Sequence, residues 1–133
     1  MDIKKVIIYA DGLSRGNPGL AAIGATVKDS KGQLLAAVSQ GIGRATNNQA
    51  EYRALIAALR EAHRLGATEA SIYLDSELVV RQLNGSYRVK NAALKSLYHE
   101  ASSLLGRLKS FTITHVPRRQ NAEADRLANA ALR

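Results

Sequence analysis

The feature that most constrains the fold is an apolar run near the start of the sequence that ends in an acid. Residues 6–8 are valine and isoleucine, and Asp11 follows Tyr9 and Ala10. A run of β-branched residues predicts a strand buried on both faces, at the centre of a sheet. A carboxylate buried at the end of such a strand needs a cation or a metal nearby. The alternative is that Asp11 only begins the Gly- and Pro-rich turn that follows it.

The composition fits a single domain, which we expect to span residues 1–133. Hydrophobic residues make up 46% of the chain, enough for one core. The absence of cysteine excludes disulfides and thiolate ligands, so any metal must be bound by oxygen or imidazole. No apolar stretch approaches the length of a membrane span, and the start of the chain does not resemble a signal peptide. We therefore expect a soluble, cytoplasmic monomer with no membrane association.

Positive charge is concentrated in one part of the chain. Of the 19 lysines and arginines, eight lie between residues 80 and 119, where Glu100 is the one acid. The rest of the chain is close to neutral. A local excess of this kind favours contacts with the phosphates of a nucleic acid, because lysine and arginine displace condensed counterions. The alternative is a basic surface that only keeps the protein soluble.

The periodicity of apolar residues predicts an α/β domain. The first strand and the next two are expected to form an antiparallel meander, and the strand after the long helix is expected to pair with the first strand in parallel. Asn47 or Asn48 is expected to cap the long helix. After the first strand, the predicted strands are residues 20–28, 33–41, 70–75 and 111–116, and the predicted helices are residues 47–65, 76–83, 91–108 and 121–132. The sequence thus predicts a mixed five-stranded sheet flanked by helices, with a three-stranded meander plus two parallel strands.

Four acids occupy positions where a surface acid is not expected. Asp11 and Asp75 each end an apolar strand two residues after a tyrosine, so parallel pairing of the strands would make the two acids neighbours. Glu51 heads the apolar stripe of the long helix, and Asp125 lies at the edge of the buried face of the last helix. The helix dipole would account for Glu51 alone, but it does not account for four inward acids.

Acids gathered in this way are typical of a metal site. Clustered carboxylates repel one another unless a hard divalent cation neutralises them. Magnesium prefers oxygen ligands, and paired magnesium ions are suited to in-line attack at phosphorus. Together with the basic region, the four acids indicate cleavage of a nucleic-acid backbone.

Several motifs resemble those of the type 1 ribonucleases H, and the resemblance covers essentially the whole chain. The motifs are Asp11-Gly12 with Asn17-Pro18-Gly19, Thr46 through Glu51, Asp75-Ser76, Val89-Lys90-Asn91, and Asn121 through Ala128. The resemblance implies the ribonuclease H fold and an endoribonuclease that hydrolyses the RNA strand of RNA–DNA hybrids. It also implies a mechanism with two magnesium ions, or manganese in their place, that leaves 3′-hydroxyl and 5′-phosphate ends.

By position, the resemblance also implies the roles of individual residues. The four catalytic, metal-binding carboxylates would be Asp11, Glu51, Asp75 and Asp125. Three amides would read the minor groove of the hybrid, where neutral groups suit the 2′-hydroxyls: Asn17, Asn47 and Asn48. The two asparagines before Glu51 have a second interpretation as helix caps, and both roles can coexist. The other expected substrate-binding residues are Thr46, Ser76, Glu77, Arg81, Arg88, Lys90 and Asn91.

Three features depart from the family pattern. The segment before the last helix lacks the histidine-containing loop of many relatives, and we expect His115 to lie in the last strand with a structural role. Glu77 replaces a glutamine that contacts RNA, which would weaken the hold on a phosphate backbone. The chain resembles compact prokaryotic members without a basic protrusion or a hybrid-binding domain. Affinity is therefore expected to depend on Arg81, Arg88, Lys90 and Lys95, with Arg118 and Arg119 as further candidates.

Two other functions remain open at this point. One is a basic nucleic-acid-binding domain with an inactive centre, which the missing loop histidine and Glu77 favour. The other is an enzyme that also cuts double-stranded RNA or RNA–DNA junctions. The presence of all four acids favours an enzyme, because a binding module has no reason to bury them.

Overall fold

The computed structural model describes residues 4–132, and the strand that contains the apolar run lies at its centre. The strands are β1 (Lys5–Ser14), β2 (Gly19–Lys28), β3 (Leu34–Ala45), β4 (Glu69–Leu74) and β5 (Ser110–His115). Their order across the sheet is β3-β2-β1-β4-β5. The first three strands pair antiparallel, whereas β1 with β4 and β4 with β5 pair in parallel. This arrangement confirms the predicted mixed sheet.

The described residues contain four α-helices that connect and cover the strands. They are α1 (Asn47–Arg64), α2 (Glu77–Leu83), α3 (Ala92–Gly106) and α4 (Ala122–Ala130), with a 3₁₀ helix over Arg118–Asn121 directly before α4. None of the helices within residues 4–132 is long and apolar enough to cross a membrane.

Helix α1 buries the stripe that its apolar spacing predicts. Leu55, Ala58 and Ala62 are fully buried, and Glu51 at the head of the same stripe is only 8% exposed. These residues recur at helical spacing, so one face of the helix packs on the sheet while the other remains in solvent. The packing therefore carries an acid into the protein interior.

The cap of α1 differs from the prediction. Neither Asn47 nor Asn48 is the N-cap; the N-cap is Thr46, whose hydroxyl accepts a hydrogen bond of 3.1 Å from the backbone nitrogen of Gln49. The Gln49 side chain in turn accepts one of 2.8 Å from the Thr46 backbone nitrogen. This reciprocal capping box satisfies two donors at once, which a single asparagine cap does not. Both asparagines are thus left in the first turn with their side chains available for other contacts.

Strand β1 runs past the acid that was expected to end it. Its parallel pairing with β4 stops at Ala10 and Leu74, but its antiparallel pairing with β2 continues to Ser14. Because β4 ends here while β2 continues, Asp11 lies within β1 but has no neighbouring strand on the β4 side. Strand β3 likewise extends to Ala45, directly before the cap of α1.

Helices α1 and α4 pack on opposite faces of the sheet, and two glycines allow the close approach. A Cβ atom at Gly12 would lie 2.1 Å from the backbone of Ala50 in α1. A Cβ atom at Gly24 would lie 2.2 Å from the carbonyl oxygen of Ala124 in α4. Gly24 of β2 pairs with Asp11 of β1, so these two residues face the same side of the sheet. Gly12 follows Asp11 and faces the other side, so the two glycines lie on opposite faces. The acids carried by both helices are thereby brought toward the same part of β1.

Candidate functional site

Three of the predicted acids meet beside the point where the pairing of β1 and β4 ends. Asp11, Glu51 and Asp75 each present an oxygen, and these oxygens lie within 4.8 Å of one another. Asp11 and Glu51 are buried and Asp75 is half-buried. The parallel pairing of β1 with β4 ends at Ala10 and Leu74, and the residues that follow these two, Asp11 and Asp75, are both acids. The sheet topology therefore makes neighbours of two acids that are distant in sequence.

Glu51 is held in the cluster by a contact with the backbone of β1. Its Oε1 accepts a hydrogen bond of 2.6 Å from the backbone nitrogen of Gly12. Only a residue without a side chain fits between β1 and α1 here, because a Cβ atom at Gly12 would also lie 2.5 Å from the Glu51 backbone nitrogen. The glycine thus sets the distance between Glu51 and Asp11.

Burial and mutual repulsion make the charged state of this cluster unfavourable. Burial raises the pKa of Asp11 to about 10, and the Glu51 and Asp75 carboxyls beside it act in the same direction. Burial also raises the pKa of Glu51, although the Gly12 N–H bond partly opposes this. The pKa of Asp75 is raised for the same first reason. A positive ion in the cluster would relieve both effects.

The fourth predicted acid lies in the same cleft but outside the group of three. Asp125, in the first turn of α4, lines a cleft of about 350 Å³ together with the three clustered acids. Its Oδ1 is 3.5 Å from Nη2 of Arg118, and its side chain is 26% exposed. It therefore stands at the open side of the cleft.

Arg118 has a position that sequence reasoning did not assign to it. We expected it on the basic surface, whereas it lines the acidic cleft and is the one basic side chain there among the described residues. Its charge lowers the pKa of Glu51 and of Asp75. No periodicity in the sequence marks this position, because Arg118 precedes the predicted helix at residues 121–132 and lies in a separate 3₁₀ helix.

Two of the three predicted minor-groove residues line the cleft, and the third, Asn17, is bonded to one of them. Asn47 and Asn48 line the cleft. The backbone nitrogen of Asn47 donates 3.1 Å to Oδ1 of Asn17, and Oδ1 of Asn47 accepts a bond of 2.9 Å from the Ser14 backbone nitrogen. These contacts tie the turn after β1 to the start of α1. Both contacts use side-chain oxygens, so the side-chain nitrogens of Asn17 and Asn47 are available to donate to a substrate.

Two predicted binding residues at α2 are engaged in contacts of their own. Ser76 is the N-cap of α2, accepts a bond of 3.3 Å from the Val79 backbone nitrogen, and also lines the cleft. Glu77 Oε1 lies 3.0 Å from Nε of Arg81. The Arg81 guanidinium is also 5.2 Å from the centroid of the Tyr87 ring. Arg81 is thus held in place, with part of its charge balanced by Glu77.

The remaining predicted binding residues lie farther from the acids. Arg88 and Lys95 line a separate cavity of about 540 Å³ with Tyr87 and Tyr98. Lys90, which lies between Arg88 and Lys95 in the sequence, is exposed. Asn91, expected to bind the substrate, caps α3 by accepting hydrogen bonds from backbone nitrogens in the first turn of that helix. His115 lies in β5, as predicted, although the strand ends at it and not at Val116, and its side chain is exposed. Of the basic residues between 80 and 119, Arg118 therefore lines the acidic cleft, whereas Arg88 and Lys95 line a separate cavity.

Comparison with known proteins places this architecture in a family. A family model described as reverse transcriptase-like matches residues 9–131. The chain is 51% identical over 129 residues to a bifunctional protein of Mycobacterium tuberculosis, covering 96% of this chain and 35% of that protein. It is 46% identical over 128 residues to ribonuclease HI of Halobacterium salinarum, covering 96% of this chain and 64% of that protein. The chain thus spans about a third of one relative's length and less than two thirds of the other's.

Solved structures of these two relatives and of a third similar protein share the fold. The N-terminal ribonuclease H domain of the M. tuberculosis protein, fused to maltose binding protein, matches 97% of this chain and 99% of that chain with a TM-score of 0.95. Ribonuclease H1 of H. salinarum matches 96% of this chain and 97% of that chain with a TM-score of 0.93. LC11-RNase H1 in complex with an RNA/DNA hybrid is 43% identical and matches 95% of both chains with a TM-score of 0.90. The chain therefore belongs to the type 1 ribonucleases H of the reverse transcriptase-like family, as its motifs predicted.

Proposed function

We propose that this protein hydrolyses the RNA strand of RNA–DNA hybrids with the help of two divalent metal ions, leaving 3′-hydroxyl and 5′-phosphate ends. The observation that carries the proposal is the cluster of Asp11, Glu51 and Asp75, with Asp125 at the rim of the same cleft. Three inward carboxylates weaken the fold, since burial and repulsion oppose their charge. A role in metal-dependent chemistry explains why acids occupy these positions despite their cost to stability.

The donor set fits magnesium or manganese. It consists of carboxylate oxygens alone, which hard divalent cations prefer, and it includes no sulfur or imidazole ligand. Asp11, Glu51 and Asp75 would hold one ion, and Asp125 with Asp11 would contribute to a second. When bound, such ions act as Lewis acids at a phosphodiester.

Side chains around the acids suit a nucleic-acid substrate. Arg118 stands at the open side of the cleft with its side chain 78% exposed, where its guanidinium can meet a phosphate. Asn47 and Asn48 line the same cleft, and neutral amide donors match 2′-hydroxyls in a shallow minor groove. A relative of 43% identity forms a complex with an RNA/DNA hybrid, which supports the hybrid as the substrate.

A cleavage assay with matched acid variants tests the proposed function. The wild-type protein is expected to cut the RNA strand of a labelled hybrid only when Mg²⁺ or Mn²⁺ is present. Glu51→Gln should abolish cleavage, whereas Glu69→Gln, the same change at an exposed position at the start of β4, should leave it unchanged. Double-stranded RNA, an RNA–DNA junction and double-stranded DNA belong in the same panel. Hybrid binding without metal-dependent cleavage would favour a binding domain instead.

The asparagines at the start of α1 offer a test of how RNA is distinguished from DNA. Loss of one hydrogen bond costs about 0.5–1.5 kcal/mol, so Asn48→Ala should lower hybrid cleavage by about two- to tenfold, and removing Asn47 as well should lower it further. Because Thr46 is the N-cap, these changes leave the cap of α1 intact. Weak binding to double-stranded DNA should hardly change. Equal losses on hybrid and on DNA would refute a role in sugar recognition.

A further inference from the structure

Asn121 is a buried amide that connects the elements around the acidic cleft. It ends the 3₁₀ helix before α4 and is only 1% exposed. Its Nδ2 donates a hydrogen bond of 2.9 Å to the carbonyl oxygen of Ala10, the residue before Asp11. Its side chain also lies close enough to the Asp75 carboxyl to lower the pKa of that group. One residue thus bonds to β1, lies near the acid that follows β4, and directly precedes the helix that carries Asp125.

Both contacts of Asn121 require a donor. The Ala10 carbonyl and the Asp75 carboxylate are acceptors, and a side-chain NH₂ group offers the two hydrogens that they need. The Oδ1 of Asn121 is buried without a hydrogen-bond partner among the described residues. An unpaired buried oxygen is unfavourable, so a position selected for stability alone would favour an apolar side chain. The two N–H groups therefore explain why position 121 holds an amide and not an apolar side chain.

We propose that Asn121 is a positioning residue: its amide N–H groups hold the Ala10 peptide and the Asp75 carboxylate at the spacing that allows the acids to bind divalent ions. The inference rests on the proposed function, because it takes the cleft to be a metal site. It adds a residue that touches neither the substrate nor the ions. Residues that hydrogen-bond to metal ligands orient them, and their loss typically lowers metal affinity or activity by about 10–100-fold.

Asn121→Leu tests the proposal, because leucine has a similar size but no donor. The half-saturating Mg²⁺ concentration is expected to rise by about 10–100-fold. It is measured in two ways: from the Mg²⁺-dependent rise in melting temperature of the metal-free protein, and from the Mg²⁺ dependence of hybrid cleavage. The KM for the hybrid should stay close to that of the wild type, since Asn121 is buried away from the substrate surface.

A matched control is available at Asn84. Its Nδ2 donates a hydrogen bond of 3.2 Å to the carbonyl oxygen of Ile113 in β5, so it also joins a side-chain amide to a strand. Asn84 does not line the acidic cleft. Asn84→Leu should therefore lower the melting temperature without changing the Mg²⁺ titration, which separates lost stability from lost positioning.

The outcomes distinguish this inference from the proposed function. A folded Asn121→Leu variant with wild-type Mg²⁺ affinity would overturn the positioning role. If that variant does not fold, Asn121→Ser is titrated instead; its hydroxyl is too short to reach both acceptors, so an unchanged Mg²⁺ affinity would again overturn it. A wild-type protein that binds Mg²⁺ but cuts no hybrid would refute the proposed function, while the titration of the variants would still decide the role of Asn121.

Discussion

Gly12→Ala tests whether the contact between β1 and α1 sets the geometry of the acidic cleft. The added Cβ would lie 2.1 Å from the Ala50 carbonyl carbon. Carbon atoms are in favourable contact at about 3.5 Å, so α1 must retreat by about 1.4 Å. The retreat would stretch the 2.6 Å hydrogen bond from the Gly12 nitrogen to Glu51 and move Glu51 away from Asp11.

The displacement predicts two measurable losses. Overpacking of this kind costs about 1–3 kcal/mol, and for a chain of this length each kcal/mol lowers the melting temperature by about 4 °C. A misplacement of about 1 Å at a catalytic group costs about 10²-fold in rate. We therefore expect Gly12→Ala to melt about 4–12 °C lower and to cleave a hybrid about a hundredfold more slowly while still folded at 25 °C.

Two further glycine variants test whether the close approach of a helix, and not the added methyl group, causes the losses. Gly106→Ala makes the same chemical change where no heavy atom lies within 4 Å, so both stability and cleavage should be retained. Gly24→Ala also meets backbone, at 2.2 Å from the Ala124 carbonyl oxygen, but it displaces α4 and not α1. It should lower the melting temperature as Gly12→Ala does, and it should also slow cleavage, because α4 carries Asp125. Thermal melts and hybrid cleavage are measured on all three. A folded Gly12→Ala variant that cleaves the hybrid at the wild-type rate, or a Gly106→Ala variant that loses as much activity, would refute the reasoning.

Three other predictions concern charge. Burial raises the pKa of Asp75, so its charge costs stability that is absent below about pH 4 and grows as the pH rises. Asp75→Asn should therefore abolish cleavage but melt at the same or a higher temperature at pH 7 without metal; a clearly lower metal-free melting temperature would contradict this. The slope of log affinity for the hybrid against log salt concentration should become less steep when three basic residues are replaced by alanine: Arg81, Arg88 and Lys90. The expected change is about 0.7–0.9 per lost phosphate contact. Arg64→Ala, at the far end of α1, is the control and should leave the slope unchanged. Glu77 balances Arg81 at 3.0 Å, so Glu77→Gln should tighten hybrid binding by about two- to fivefold in an anisotropy titration, and an unchanged Kd would show that the ion pair does not compete with phosphate.

Local patterns in the sequence were sufficient for the architecture. The β-branched run predicted a central strand, and β1 is the middle strand of five. The helical stripe that begins at Glu51 predicted an inward acid, and Glu51 is 8% exposed. These features depend on periodicity and on the burial of apolar side chains, which neighbouring residues determine together. The order of strands and helices followed from the same patterns, and the family motifs agreed with it.

Competition between nearby groups was decided only by the folded chain. Thr46 caps α1 although Asn47 and Asn48 are equally good candidates by type, because Gln49 completes a reciprocal pair with Thr46. Asn91 has its side-chain oxygen occupied by the first turn of α3, which its family motif alone did not reveal. Sequence preference names residues that are able to cap a helix, but the geometry of the chain that enters the helix selects one of them.

The sequence by itself determined which residues are acidic, which strands and helices carry them, and that these acids point inward. Only the tertiary structure decided that Asp11, Glu51 and Asp75 form the tight group while Asp125 stands beside Arg118 at the rim. It also decided that the Asn121 amide joins Ala10 to the group. The physical reason is that periodicity fixes the direction of a side chain relative to its own element. Distances between elements are fixed by packing, here by the close approach of helices to the sheet at two glycines.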